Sequence, residues 1–218
     1  MNVLEPILNL IGGQIIHTTS AENFRKIVQS GVVQAGSNHN PGGFCQCAGG
    51  ISQHTGRPCL SLSDLSLSSR EVLLSEESNW YCQLTRPWGA TIWRPDVEFE
   101  YAEAVPTLVF HRRAIDVSRV YSNARILRDL PHLTHSDGKY VCVGRFIAEA
   151  EICYDATLPL EAIAAVLLIC SFSLRDHLYF EWSSPQSALD AMADFETRIK
   201  SQYKPKLHMV PKLPTKSN

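Results

Sequence analysis

The sequence predicts an α+β fold in one domain. Three segments carry that prediction: a β-branched run at Ile15 and Ile16 that leads into a helix, an alternating segment from Leu60 to Ser63, and an amphipathic helix that starts near Ser184. With 218 residues, 44% of them hydrophobic, the chain has the material for one proper core. A net charge of −2 gives no global electrostatic argument for nucleic acid or membrane. No run approaches the ~18 apolar residues of a membrane helix. The opening MNVLEPILNLIGG lacks a basic region and carries Glu5, unlike a secretion signal. The 7 cysteines are irregularly spaced, and Cys142, Cys153 and Cys170 sit in apolar contexts. They read as free thiols in a reducing, cytoplasmic setting.

The elements follow in chain order. Ile15 and Ile16 suit a buried strand. Thr18, Thr19 and Ser20 offer capping hydroxyls to a helix that begins near Ala21; Phe24, Ile27 and Val28 fall at helical spacing, and Gly31 reads as its stop. His17 therefore stands at a strand-to-helix junction, where side chains and free N–H groups can meet an anionic ligand. The plainer reading is a polar loop residue. From Ser37 to Arg57 the composition is that of a loop, and a structureless stretch of that length is often functional, as a flap or a substrate-binding segment. His39, Cys45, Cys47, His54 and Cys59 supply enough donors for zinc, but Cys-x-Cys is not the usual knuckle and no second pair exists, so no metal is assigned.

Leu60 and Leu62 alternate with Ser61 and Ser63 before Asp64 and Leu65 break the phase, which predicts a half-buried strand running into a turn. The serines need do no more than cap their own backbone. An aromatic-rich segment, Asn79 to Trp93, follows. Leu108 to Leu133 concentrates Arg112, Arg113, Arg119, Arg125 and Arg128, opposed only by Asp116 and Asp129 within the segment. Arginines grip phosphates bidentately, and Tyr121 and His111 could stack bases; a solvated helix face is the alternative. From Gly144 the pattern predicts a strand with Glu149 and Glu151 on one face, about 6–7 Å apart. Carboxylates so placed raise at least one pKa unless a cation or donor relieves them. An exposed edge strand would carry the same pair. A short helix is expected to start at Pro159, then a buried strand from Ala165 to Ile169. The last helix carries Ala188, Ala191, Met192, Phe195 and Ile199 inward, and the tail from Pro205, with Lys206, Lys212 and Lys216, is expected to fray.

Three blocks carry a resemblance. His17, Thr19, Asn23, Ile27 and Gly31 form the first; Ser61, Ser63 and Asp64 the second; Ala150, Glu151, Pro159, Leu160, Ile163 and Val166 to Ile169 the third. In this order they resemble the ADP-ribosyltransferase superfamily, most closely its DNA-targeting DarT-like and AbiGi-like antiphage and toxin branches. The resemblance implies an α+β, ADP-ribosyltransferase-like split mixed sheet with flanking helices over residues 1–204, a flexible loop at 37–57 and a disordered tail at 205–218. It implies NAD as substrate, with His17 on a ribose, Thr19 in the NAD site, Asn23 shaping the nicotinamide pocket, and Ser61, Ser63 and Asp64 on the cleft floor. Glu151 would be the catalytic glutamate and Glu149 its companion. One of Arg112, Arg113 or Arg125 would contact the NAD diphosphate or a nucleic-acid phosphate, with Tyr121 beside them on the substrate side. The implied activity is transfer of ADP-ribose to a macromolecule, favouring DNA or RNA, by a bacterial toxin or antiphage effector with a cognate antitoxin. A protein acceptor, or an inactive binding module of the same fold, are the alternatives.

Overall fold

The computed structural model describes residues 4–34, 56–74, 102–129, 150–171 and 173–203. Within them the elements are α1 (Glu5–Ile11), β1 (Ile15–Thr18), α2 (Ala21–Ser30), β2 (Val32–Val33), β3 (Leu60–Asp64), α3 (Arg70–Leu74), β4 (Ala104–Phe110), β5 (Val120–Ser122), α4 (Asn123–Asp129), β6 (Glu151–Tyr154), β7 (Leu158–Pro159), β8 (Ile163–Cys170), β9 (Ser173–Glu181) and α5 (Pro185–Gln202). The fold is α+β. Seven strands form one sheet in the order β5-β6-β3-β1-β4-β8-β9, and β2 pairs with β7 apart from it. Every described pairing is antiparallel. That corrects the expected mixed sheet among the described residues, where each strand runs opposite to its neighbours and only β8 and β9 are joined by a tight turn.

Both faces of the sheet are covered. On one, Phe24 and Ile27 of α2 and Ala188, Met192, Phe195 and Ile199 of α5 pack with Ile15, Leu62, Leu108, Val166 and Leu168. On the other, Ile7, Leu8 and Ile11 of α1 pack with Ile16, Val109, Leu167 and Ile169. The strands β4 and β8 lie between these layers, so their sequences read as continuous apolar runs, AVPTLVF and IAAVLLIC. Pro106 sits inside β4 although it has no N–H. Its carbonyl accepts from the Thr19 amide at 2.9 Å, just past the end of β1, so the absent donor falls where that neighbouring strand has stopped.

The helix ends obey local chemistry. The Ser20 hydroxyl accepts from the Asn23 amide at 3.1 Å, and α2 ends at Gly31 with φ 76°, a left-handed conformation natural to glycine. In α5, Pro185 takes the first turn and Ser184 forms a capping box with Ser187. Its far end is tied to β9 by the Tyr203 hydroxyl, which donates to Asp176. The helix expected at Pro159 is a single 3-10 turn, Leu160–Ala162, and the strand behind it starts at Ile163, two residues before the expected Ala165. Described Cys59, Cys153 and Cys170 are buried and form no disulfide. No described helix is long and apolar enough to cross a membrane. The loop at 37–55, the segment from Asn79 to Trp93, Glu149 and the tail from Pro205 lie outside the described residues.

Candidate active site at the fork of the sheet

The sheet forks between β1 and β3. These strands pair only at Ile15 with Asp64 and Ile16 with Ser63. Beyond that point β1 stays with β4 through Thr18, while β3 stays with β6 back to Leu60. His17 stands where the ladder stops, and its Nδ1 lies 2.8 Å from the Ser61 carbonyl oxygen. A carbonyl only accepts, so Nδ1 carries the proton. Burial lowers the His17 pKa from 6.5, against the raising effect of the Ser61 hydrogen bond. The ring is therefore neutral at pH 7, and Nε2 presents a lone pair. No described residue hydrogen-bonds to it.

The rest of the fork is polar. The Thr18 and Thr107 hydroxyls share a hydrogen bond of 3.1 Å across β1 and β4, and Thr107 is fully buried. Thr19 is buried, and α2 begins two residues later. Asn23 is exposed on the first turn of α2, with its amide on the Ser20 cap. Ser61 and Ser63 are half-buried on β3. Ser63 pairs with Ile16 on one side and Glu151 on the other. Glu151 thus opens β6 two strand spacings from β1, about 10 Å away. The structure brings His17, Thr19, Ser61, Ser63 and the backbone of Glu151 to one region of the sheet.

It does not bring the expected arginines there as free cations. Arg112 lies past the end of β4, at the closed end of the fork. Its Nη1 and Nη2 bind both oxygens of Asp64 at 3.1 and 2.6 Å, and Nη2 also donates to the Gly13 carbonyl at 2.9 Å and the Ser66 hydroxyl at 2.8 Å. Burial pushes the Asp64 carboxyl up, but hydrogen bonds from Arg112 and Ser66 together hold it below its ordinary value. Asp64, expected on the cleft floor, is thus the carboxylate half of an ion pair. Arg125 lies over the Tyr121 ring at 4.3 Å and donates to the Ser118 and Val120 carbonyls at 2.7 and 2.6 Å. Tyr121 pairs with Cys153, next to Ser61 across β6. Arg113 is exposed and makes no ion pair with a described residue.

Two partners escaped the sequence reading. Asp155, buried, accepts from Arg119 Nε at 2.7 Å, and its backbone carbonyl accepts from Nη2 at 2.7 Å. Asp64 and Asp155 stand 48 and 36 residues from their arginines, so local composition held no sign of either pair. No protein-family model matches the chain, and no curated protein matches it.

Proposed function

We propose that this chain transfers ADP-ribose from NAD to a macromolecule, at the fork between β1 and β3. The observation that carries the reading is the anchored, neutral His17: one ring nitrogen is fixed on Ser61, and the other is an acceptor with no described partner. A neutral imidazole at the mouth of a forked sheet suits a ribose hydroxyl as donor. The backbone of Glu151 opens β6, two strands from β1. Further support is the order of the three sequence blocks, whose residues His17, Ser63 and Glu151 fall on neighbouring strands.

In this mechanism the nicotinamide–ribose bond breaks and nicotinamide leaves with the bonding electron pair, so positive charge builds on the ribose. The Glu151 carboxylate accepts from the ribose 2′-hydroxyl and stabilises that charge. Glu149 takes the proton of the attacking nucleophile as its bond to the ribose forms. Thr19, Asn23, Ser61 and Ser63 line the nicotinamide side. DNA or RNA as acceptor rests on the toxin resemblance and the local arginines, the antitoxin on the resemblance alone, and the cytoplasmic setting on the irregularly spaced cysteines. A protein acceptor is the second reading, favoured by one observation: most of the arginines meant for phosphate are held by protein groups.

The test is incubation of the purified chain with labelled NAD and, separately, single-stranded DNA, RNA and lysate protein, each beside Glu151→Gln. Label on nucleic acid that is lost in the variant supports the first reading. Label on protein alone moves the acceptor. Absence of both transfer and nicotinamide release rejects the enzyme and leaves a binding module.

A further inference from the structure

We infer that Arg112 and Asp64 are positioning residues for Glu151, holding the start of β6 in register rather than binding a phosphate. The inference rests on the reading of Glu151 as the catalytic carboxylate. Its geometry is independent of that reading. Asp64 ends β3, and its amide donates to the Ala150 carbonyl at 2.7 Å, the residue immediately before Glu151. The neighbouring Leu65 amide donates to the Gln14 carbonyl at 2.9 Å. The Asp64 side chain accepts from the Ser66 amide and hydroxyl at 3.0 and 2.7 Å, besides both Arg112 nitrogens. Arg112 in turn reaches Gly13, ahead of β1. The guanidinium and carboxylate therefore join the start of β1 to the ends of β3 and β4, and the Asp64 backbone amide ties that clasp to the start of β6.

Each partner is bound on several sides, which leaves Arg112 poorly placed to turn toward a diphosphate. A bidentate guanidinium–carboxylate pair also fixes angle as well as distance. A lysine keeps the charge and loses the fork. Misplacing a catalytic group by about 1 Å costs on the order of 100-fold in rate.

The experiment compares wild type, Arg112→Lys and Asp64→Asn in two measurements. The first is steady-state NAD cleavage. A loss of tenfold or more in kcat with KM for NAD within about twofold is expected, since only the transition-state contact of Glu151 is disturbed. A rise in KM with kcat retained would overturn the inference and make Arg112 a diphosphate ligand. The second is amide hydrogen exchange. Faster exchange at Glu151 and Ile152, with β8 amides unchanged, is expected of a local clasp. Unchanged exchange at β6, or equal loosening of β6 and β8, would overturn it as well. Should wild type cleave no NAD, the proposed activity falls, and the exchange measurement alone still decides whether the clasp sets β6. Arg112→Lys retains the cation beside the buried carboxylate, so it guards against simple failure to fold.

Discussion

At the scale of single residues, charge state decides what the fork can do. His17 has its pKa lowered by burial, with the Ser61 hydrogen bond acting the other way. A histidine so depressed binds a proton more readily unfolded than folded. Its contribution to stability is therefore complete above pH 6.5, the ordinary value, and is lost as pH falls below that toward the folded pKa. Titration of the ring by NMR should show the neutral form, protonated at Nδ1, persisting through pH 6.5. In His17→Gln the fall in denaturation midpoint between pH 6.5 and pH 5 should be shallower than in wild type; an identical slope would show that His17 is not the group responsible. Asp64 obeys the same rule further down, since its stabilisation holds above the ordinary 3.8 and is lost in more acid solution.

At the scale of elements, the ends of helices carry measurable energy. Gly31 closes α2 at φ 76°. Alanine there is strained although nothing crowds its Cβ, so Gly31→Ala should destabilise by about 1 kcal/mol in urea unfolding. Ser184→Ala removes the cap of α5 and should also cost about 1 kcal/mol; no change in midpoint would show that Ser183 or Ser187 supplies the cap instead. These two helices were legible because capping hydroxyl, apolar spacing and terminal glycine or proline are local signals. The alternation of Leu60 and Leu62 likewise placed β3 and its exit at Asp64. Other elements were not legible, for physical reasons. In β4 the run AVPTLVF is buried on both faces, so it shows no alternation, and Pro106 argues against a central strand unless the stop of β1 is known. In β9, Arg175, Asp176 and His177 interrupt the apolar pattern because the strand is an edge with an irregularity facing Cys170. The short α1 hid in a segment whose only visible message was the charge of Glu5. The fork itself was invisible, since where a ladder stops is a tertiary fact.

At the scale of the whole molecule, the sheet needs both of its covers. Phe195 of α5 and Ile11 of α1 are buried on opposite faces. Phe195→Ala should cost about 3–5 kcal/mol and Ile11→Ala about 2–5 kcal/mol. Their effects should add, because the sheet separates them; strong non-additivity in the double variant would mean that the two layers are not independent. The distribution of charge then bears on the acceptor. By sequence the arginines between Arg112 and Arg128 form a basic patch. In the fold, Arg112 is held by Asp64, Arg119 by Asp155, and Arg125 and Arg128 by Asp129. A cation already matched to a carboxylate releases few counterions from a nucleic acid. Arg113 is exposed and has no such match among the described residues. If single-stranded DNA is bound across this region, Arg113→Ala should weaken binding and reduce the slope of log K against log salt by about 1. Arg128→Ala should leave the slope within error. The reverse order would mean that the Asp129 pair opens on binding. Equal slopes in all three proteins would place the nucleic acid elsewhere on the chain, or favour protein as the acceptor.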